Sequence, residues 1–219
     1  MLFHGFRGDL IEGAELEGRD GIPKMLDLKN TEVPLKLIPF DKIRTCKEKR
    51  GYVHFYIDDS KYGEIFTSPE RYDDLLSQFD GVIAPDPTIT IGDPHAVNAT
   101  MTIQSRSFGY HGQTLGEPAI ASLRWGDCST WDFCFLGVPK HSIVAISTHG
   151  AIAKDRKTGD LLRRCFKDGL SEMLKRLEPT DVIVYGRMPG DIFTPEILAM
   201  SRFHHFPSET ETAHQKEDV

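Results

Sequence analysis

Residues 80–87 read DGVIAPDP, and this stretch shows the pattern that decides the fold of the chain. A turn dipeptide opens it, Val82–Ala84 forms a short apolar run, and Asp86 stands between two prolines where the run stops. A short apolar run bounded by turn residues is typical of a strand buried on both faces of a parallel sheet. The flanking prolines restrict the backbone, so Asp86 is predicted to be a rigidly held carboxylate with a chemical role, or an Asx turn.

The same kind of run recurs along the chain. Five further candidate strands are Leu35–Phe40, Tyr52–Ile57, Ala119–Leu123, Ile143–Ile146 and Val182–Tyr185. Helical segments fall between them, with start signals at Ser68-Pro69 and Asp93-Pro94 and an amphipathic period over Gly159–Leu177. Repeated strand–helix–strand units require right-handed crossovers and a parallel sheet.

We therefore expect an α/β fold whose mainly parallel sheet has five or more strands with alternating helices. An open doubly wound sheet and a β/α barrel both fit this repetition. No GxGxxG or GxxxxGK[ST] loop follows any candidate strand, which favours the barrel, complete or incomplete.

The two ends of the chain differ in composition from the middle. Residues 1–34 are rich in glycine and charge and are expected to wrap the outside of a single α/β domain at residues 35–203. Residues 204–219 are polar and nearly free of aliphatic side chains, which predicts a disordered tail with a solvated His204-His205 pair.

Bulk properties exclude several classes of protein. The net charge of −7 gives no bulk basic field for non-specific nucleic-acid binding. The N-terminus carries Asp9 and Glu12 and lacks the apolar core of a signal peptide, and no stretch reaches the length of a membrane span. Because no stretch reaches the length of a span, we expect no membrane association. Four cysteines without a CxxC pair indicate a reduced, cytoplasmic protein with no zinc site.

Polar residues follow five consecutive predicted strands. In chain order they are Asp58-Asp59, Asp86, Arg124-Trp125-Gly126-Asp127, Ser147-Thr148-His149-Gly150 and Gly186-Arg187. The carboxyl ends of parallel strands meet at one edge of the sheet, where α/β proteins build ligand sites. A ligand site is therefore predicted at this edge.

The candidate catalytic residues are Asp86, His149 and Asp58. Asp58 and Asp59 are adjacent on an extended chain, so at most one of them faces the site, and either could simply cap a turn. His149 precedes a glycine and could serve as a general acid–base, a metal ligand, a ligand hydrogen-bonding group or a structural histidine.

The candidate ligand-binding residues are Arg106, Arg124, Trp125, Asp127, Asp59 and Arg187. An unpaired Arg124 would be costly at a strand end, so it pairs with Asp86 or Asp127 or forks an anionic ligand. Trp125 either stacks on a base or sugar or packs in the core. Asp127 could cap a helix near Ser129, and Arg106 could reach an anion from a helix wall or point to solvent.

Several stretches resemble an uncharacterised family, a domain of unknown function found in bacteria, phages and plasmids. They are VHFYIDD (53–59), FDGVIAPD (79–86), SRSFGY (105–110), RWGD (124–127), FLGVPKHSIVAISTHG (135–150) and VIVYG (182–186). The resemblance implies a phage or mobile-element setting and carries over no catalytic residue. In outline the chain is also similar to tRNA-guanine transglycosylase-like barrels, but it lacks their Cys-rich zinc cluster and most of their length.

These features predict an enzyme acting on a nucleotide, nucleoside or nucleic-acid base by N-glycosidic or phosphoester chemistry. Asp86 would be nucleophile or base and His149 acid–base, while Arg124 and Arg106 would hold a phosphate. One alternative is a hydrolase or nuclease with Mg²⁺ or Mn²⁺ held by the aspartates and His149. Another is a non-catalytic counter-defence protein that binds a small nucleotide or a host protein. An anionic small molecule or nucleic acid is the expected partner.

Overall fold

The computed structural model of the chain describes residues 2–3, 6–27, 31–149 and 156–212. Two short antiparallel pairs come first: β1 (Leu2–Phe3) with β2 (Phe6–Arg7), and β3 (Leu16–Glu17) with β4 (Ile22–Pro23). A seven-stranded parallel sheet follows. Its strands are β5 (Leu37–Pro39), β6 (Tyr52–His54), β7 (Gly81–Ile83), β8 (Ala119–Ser122), β9 (Ile143–Ser147), β10 (Asp181–Tyr185) and β11 (Arg202–Phe206).

The strands of this sheet lie side by side in chain order, from β5 at one edge to β11 at the other. A doubly wound sheet reverses its strand order part-way, whereas this sheet winds in one direction and curls into an incomplete barrel. An ion pair joins Lys42, just after β5, to Glu209, just after β11, so the segments that follow the two edge strands meet. The predicted α/β class and incomplete barrel are confirmed.

In the part of the chain that the structure describes, five α-helices connect the strands. They are α1 (Asp73–Leu76), α2 (His95–Thr114), α3 (Trp131–Cys134), α4 (Arg156–Leu177) and α5 (Pro195–Leu198). The amphipathic period correctly located α4, and the Asp93-Pro94 signal located the start of α2. The helix expected after Ser68 is smaller than its pattern suggested, because a 3-10 turn at Pro69–Arg71 leads into the single turn of α1.

The sheet buries both of its faces. On the outer face Val53 and Phe55 pack with residues of the helices, including Phe108 of α2 and Leu170 of α4. The inner face forms a second, smaller cluster: Tyr52, Tyr56, Ile83, Ile120, Ala145, Ile183 and Tyr185. Burial on both faces explains why the strands read as continuous apolar runs.

The boundary expected at residues 203–204 cuts through a strand, and this expectation is wrong for residues 204–206. They belong to β11, which pairs with β10 in the register Asp181 to Arg202 and Tyr185 to Phe206. His204 is not simply solvated, because its Nε2 hydrogen-bonds Oδ1 of Asp181 at 2.8 Å. The strand was missed because His204 and His205 interrupt its pattern of apolar residues. The remainder of the predicted tail, residues 213–219, lies outside the described residues.

The N-terminal segment contributes to the main core. Ile22 and Met25 are both buried in the larger cluster, and β4 contacts α2. The Met25 amide donates to the carbonyl of Gly137 at 3.0 Å, which ties this segment to the loop after α3.

Candidate functional site

Asp86 and Arg124 meet at the carboxyl edge of the sheet. Asp86 lies three residues after β7 and is 6% exposed. Its Oδ2 accepts a hydrogen bond from Arg124 Nη1 at 2.9 Å, and its Oδ1 accepts one from Ser122 Oγ at 3.5 Å. Ser122 is the last residue of β8 and Arg124 follows it by two, so one strand end supplies both partners. Of the two roles considered for Arg124, the structure shows the ion pair with Asp86.

The hydrogen-bonded group continues to Tyr56, which follows β6. The Tyr56 hydroxyl lies 3.1 Å from Ser122 Oγ and is buried on the inner face of the sheet. The peptide before Asp86 is also held, because Ser105 Oγ of α2 donates to the carbonyl of Pro85 at 2.7 Å. Sequence reasoning missed Tyr56 and Ser122. Their only signal was a polar atom at the end of an otherwise apolar strand.

Burial dominates the electrostatics of Asp86. It raises the pKa of the carboxyl group to about 6, while the attraction and hydrogen bond of Arg124 act in the opposite direction. For Arg124, burial lowers the pKa of the guanidinium, but Asp86 outweighs that effect and the net shift is upward. The pair is therefore ionised at neutral pH, and the Asp86 carboxylate takes up a proton in mildly acidic solution.

A small pocket lies beside Asp86, between the sheet and α2. Its volume is about 10 Å³, enough for one water molecule. A larger ligand must approach from the side of Arg124, whose side chain is 22% exposed. Among the described residues its guanidinium makes one hydrogen bond, so most of its five N–H donors remain for a ligand.

Arg106 forms a wall of this pocket without being free for a phosphate. The side chain is 1% exposed and donates to the carbonyls of Ser122 (2.7 Å), Cys134 (3.0 Å) and Leu136 (3.1 Å). Burial lowers its pKa to about 10, so the group is still charged at neutral pH. Arg106 therefore joins the end of α3 to β8, which corrects the phosphate-holding role expected from the sequence.

Three other candidates take structural roles. The indole of Trp125 packs 4.9 Å from the ring of Phe166, and its Nε1 donates to the carbonyl of Cys165 at 3.3 Å, so it is a core tryptophan and does not present a stacking surface. Asp127 Oδ1 accepts from the Ser129 amide at 3.0 Å and caps the following 3-10 turn. Asp58 is an exposed cap of the same kind, and is not placed as a catalytic group.

Asp59 is the member of the adjacent pair that faces the Asp86 loop. Its Oδ2 accepts from the Thr88 amide at 2.9 Å, and its Oδ1 accepts from the Tyr62 hydroxyl at 2.6 Å. These bonds connect the exit of β6 with the residues that follow Asp86.

His149 and Arg187 lie at the ends of β9 and β10, and both side chains are exposed. The ring of His149 lies 6.3 Å from that of Tyr185, and its backbone amide donates to Ser147 Oγ at 3.1 Å. Arg187 presents its carbonyl to Thr148 Oγ1 at 2.8 Å. Gly150 lies outside the described residues.

The residues considered for Mg²⁺ or Mn²⁺ do not assemble into a centre. Within residues 2–3, 6–27, 31–149 and 156–212, no group of three or more His, Cys, Asp or Glu side chains is placed to hold a metal ion.

The chain matches, over residues 14–203, the family described as a domain of unknown function, DUF4417. It belongs to this family. The DUF4417 match includes β3 to β10 and therefore Tyr56, Asp86, Ser122 and Arg124. The family resemblance predicted from the sequence motifs is confirmed.

Two relatives of this DUF4417 protein come from mycobacteriophages. The "Gene 1 protein" of Mycobacterium phage L5 is 31% identical over 177 residues, which cover 78% of this chain and 75% of that protein. The "Gene 1 protein" of Mycobacterium phage D29 is 30% identical over 149 residues, covering 67% of this chain and 53% of that protein. The expected association with phage proteins is confirmed.

No solved structure matches the chain. None of the described helices combines the length and the apolar character that crossing a bilayer requires.

Proposed function

We propose that the protein is an enzyme acting on a nucleotide, nucleoside or nucleic-acid base, with Asp86 as its general acid–base or nucleophile. The observation that carries the proposal is a buried carboxyl group at the carboxyl edge of a parallel sheet whose pKa is raised to about 6. Carboxyl groups with such pKa values exchange protons efficiently near neutral pH and cluster at functional sites.

Arg124 would serve the same chemistry in two ways. Its bond to Oδ2 fixes the orientation of the carboxylate, and its exposed side has free donors for an anionic substrate group such as a phosphate. Ser122 and Tyr56 position the other oxygen. Burial raises the pKa of Tyr56, so its hydroxyl stays neutral beside Ser122 throughout the physiological range.

The test compares the wild-type protein with Asp86→Asn. Both are incubated with a panel of nucleotides, nucleosides, free bases and short oligonucleotides, and products are identified by liquid chromatography and mass spectrometry. We expect the wild type to convert a member of the panel, and Asp86→Asn to lose about 10²- to 10⁴-fold in rate, the usual contribution of a general acid–base group. The pH profile of kcat/KM should show a group that titrates near pH 6.

Asp58→Asn is the matched control, because Asp58 is also an aspartate after a strand but is an exposed cap. It should retain the rate, and circular dichroism should show both variants folded. Full activity in Asp86→Asn would contradict the proposal. A different result would favour the non-catalytic binding protein. In that case neither protein turns over any compound, and Asp86→Asn only binds the ligand more weakly than the wild type does.

A further inference from the structure

A cleft of about 650 Å³ lies where the sheet fails to close into a full barrel, between β5 and β11. Its walls include the last residues of four strands: Pro39 of β5, His54 of β6, Tyr185 of β10 and Phe206 of β11. These four residues lie at the carboxyl edge of the sheet, where parallel α/β folds hold their ligands, while Leu35, Lys36 and Leu37 line the cleft at the start of β5. Its volume lies in the range of small-molecule sites.

Aromatic rings line the cleft. The ring centroids of His54 and Tyr185 are 4.6 Å apart, and Tyr56 stacks behind Tyr185 at 5.1 Å. Phe206 contributes a partly exposed ring from the opposite edge strand. His54 and Tyr185 are 1% and 6% exposed, so they form the floor of the cleft, and Phe206 is the ring on which a flat ligand can stack.

His54 lines the cleft, and its imidazole is hydrogen-bonded at one ring nitrogen. The residue is 1% exposed, and its Nδ1 accepts the backbone N–H of Tyr56 at 3.2 Å. Nδ1 therefore carries no proton, and Nε2 on the other side of the ring carries an N–H. Within the described part of the chain, Nε2 has no hydrogen-bond partner. Burial lowers the pKa of the imidazole to about 3, so it remains a neutral donor throughout the physiological range.

The charges at the entrance are already paired. Lys36 Nζ lies 3.1 Å from Glu48 Oε2, and Glu209 forms the ion pair with Lys42. Leu35, at the lip, has a fully exposed side chain. A neutral ligand with an apolar face suits this entrance better than a charged one.

We propose that the cleft binds a neutral planar heterocycle of the nucleobase or nucleoside class, stacked on Phe206 with His54 Nε2–H donating to a ring carbonyl or ring nitrogen. The inference goes beyond the proposed function, because the cleft can hold such a ligand whether or not Asp86 is catalytic.

The probes are adenosine, guanosine, uridine and their 5′-monophosphates, titrated into the full chain by isothermal calorimetry. At least one nucleoside should bind saturably, and its monophosphate should bind no more tightly. His54→Phe keeps the ring but removes the donor and should weaken binding about 3- to 10-fold, the worth of one hydrogen bond. His54→Gln keeps an N–H and should restore most of the affinity.

A matched pair on β11 tests the stacking on Phe206. Phe206→Leu removes an aromatic ring from the cleft and should weaken binding at least about 3-fold, a common value for one ring contact. Phe203→Leu makes the same change on the outer face of the same strand, where Phe203 packs against Phe193, and should leave affinity unchanged. Phe206 is partly exposed, so its variant tests the cleft even where a His54 variant fails to fold.

Absence of saturable nucleoside binding to the wild type would overturn the proposal. So would binding that neither His54→Phe nor Phe206→Leu weakens, or a monophosphate that binds more tightly than its nucleoside and is weakened by Phe206→Leu, which would place its phosphate in the cleft and not at Arg124. Asp86→Asn should bind the nucleoside as the wild type does, so loss of turnover and loss of cleft binding can be told apart.

Discussion

At the scale of single residues, Asp86 and Arg124 form a largely buried ion pair. Removing two charges from water is costly, and such a pair stabilises a fold less than apolar residues of similar volume often would. The rigid prolines on either side of Asp86 and the bond from Ser105 to the Pro85 carbonyl add further constraint at the same point. Constraint and desolvation combined at one strand end suit a site that performs chemistry.

The raised pKa of Asp86 predicts how stability depends on pH. In the unfolded chain an aspartate titrates near pH 3.9, whereas in the fold Asp86 titrates at about 6. The folded state therefore binds this proton more tightly, and its stabilising effect is present below pH 4 and lost as pH rises to 6. The free energy of unfolding of the wild type, relative to Asp86→Asn, should fall by roughly 2–3 kcal/mol across this interval. Urea unfolding at pH 4, 5, 6 and 7 measures it.

Arg124→Met provides the companion measurement. It leaves the buried Asp86 carboxylate without its partner, so it should destabilise the protein more at pH 7.5 than at pH 5, where Asp86 is protonated. The double variant with Asp86→Asn should remove that pH dependence. For the wild type, the free energy of unfolding relative to Asp86→Asn should fall between pH 4 and 6. If this difference stays flat or rises, Asp86 has no raised pKa.

The sequence predicted the role of a single residue only in two situations. One was a charge that would be costly to bury unpaired, and the other was a side chain on a backbone restricted by prolines. Arg124 at the end of an apolar strand was expected to pair with Asp86 or Asp127 or to bind an anionic ligand, and the structure shows the pair with Asp86. Tyr56, Ser122 and His54 gave no comparable signal. Their importance depends on which face of the sheet each occupies and on which strands are neighbours, and neither is local information.

At the scale of elements, the contact between α4 and the loop after β8 depends on Gly169. A Cβ at this position would lie 2.1 Å from Trp125 Nε1, the atom that donates to the Cys165 carbonyl one turn earlier in the helix. The helix therefore lies directly on the indole, and the glycine makes that approach possible.

Gly169→Ala should consequently destabilise the protein. Alanine is favoured over glycine in a helix by about 1 kcal/mol, but overpacking against a buried indole costs about 1–3 kcal/mol. We expect a net loss of up to about 2 kcal/mol of unfolding free energy and altered tryptophan fluorescence. Gly63→Ala, whose Cβ would meet nothing within 4 Å, is the matched control and should be close to neutral. A stabilised Gly169→Ala variant would show that α4 does not lie against Trp125.

The helices show how far periodicity can predict an element. α4 has one apolar face and one charged face, so its pattern located it to within a few residues. In α2 the buried face includes Ser105, Arg106 and Gly109, which give no apolar period, and the proline start signal was the only guide. The helix that this signal begins runs to Thr114.

At the scale of the whole molecule, the sequence predicted the type of sheet but missed one of its strands. Alternating strands and helices without a phosphate loop indicated a barrel, and strand order confirms an incomplete one. β11 was missed because RFHHF combines two histidines and an arginine with its aromatic residues. These polar groups have a structural purpose. Arg202 and His204 both bond to Asp181, a buried carboxylate on the neighbouring strand.

This arrangement predicts where the chain can be shortened. Asp181 is 5% exposed, and Arg202 and His204 hold its pKa below the usual range although burial acts to raise it. A chain ending at Ser201 would take Arg202 and His204 away from Asp181 and would expose the whole edge of β10. The chain would lose the backbone hydrogen bonds along β10, both charge pairs of Asp181 and the packing of Phe203 against Phe193, a large loss beside the 5–15 kcal/mol that stabilises a typical domain. We expect that chain to be unfolded or aggregated at 37 °C, and a chain ending at 203, which cuts β11, to behave similarly.

A chain ending at Thr212 keeps β11 and the Lys42–Glu209 pair and should melt within a few degrees of the full chain. Thermal melting by circular dichroism and size-exclusion chromatography compare the three. A chain ending at Ser201 that melts like the one ending at Thr212 would show that β11 is not part of the cooperative fold.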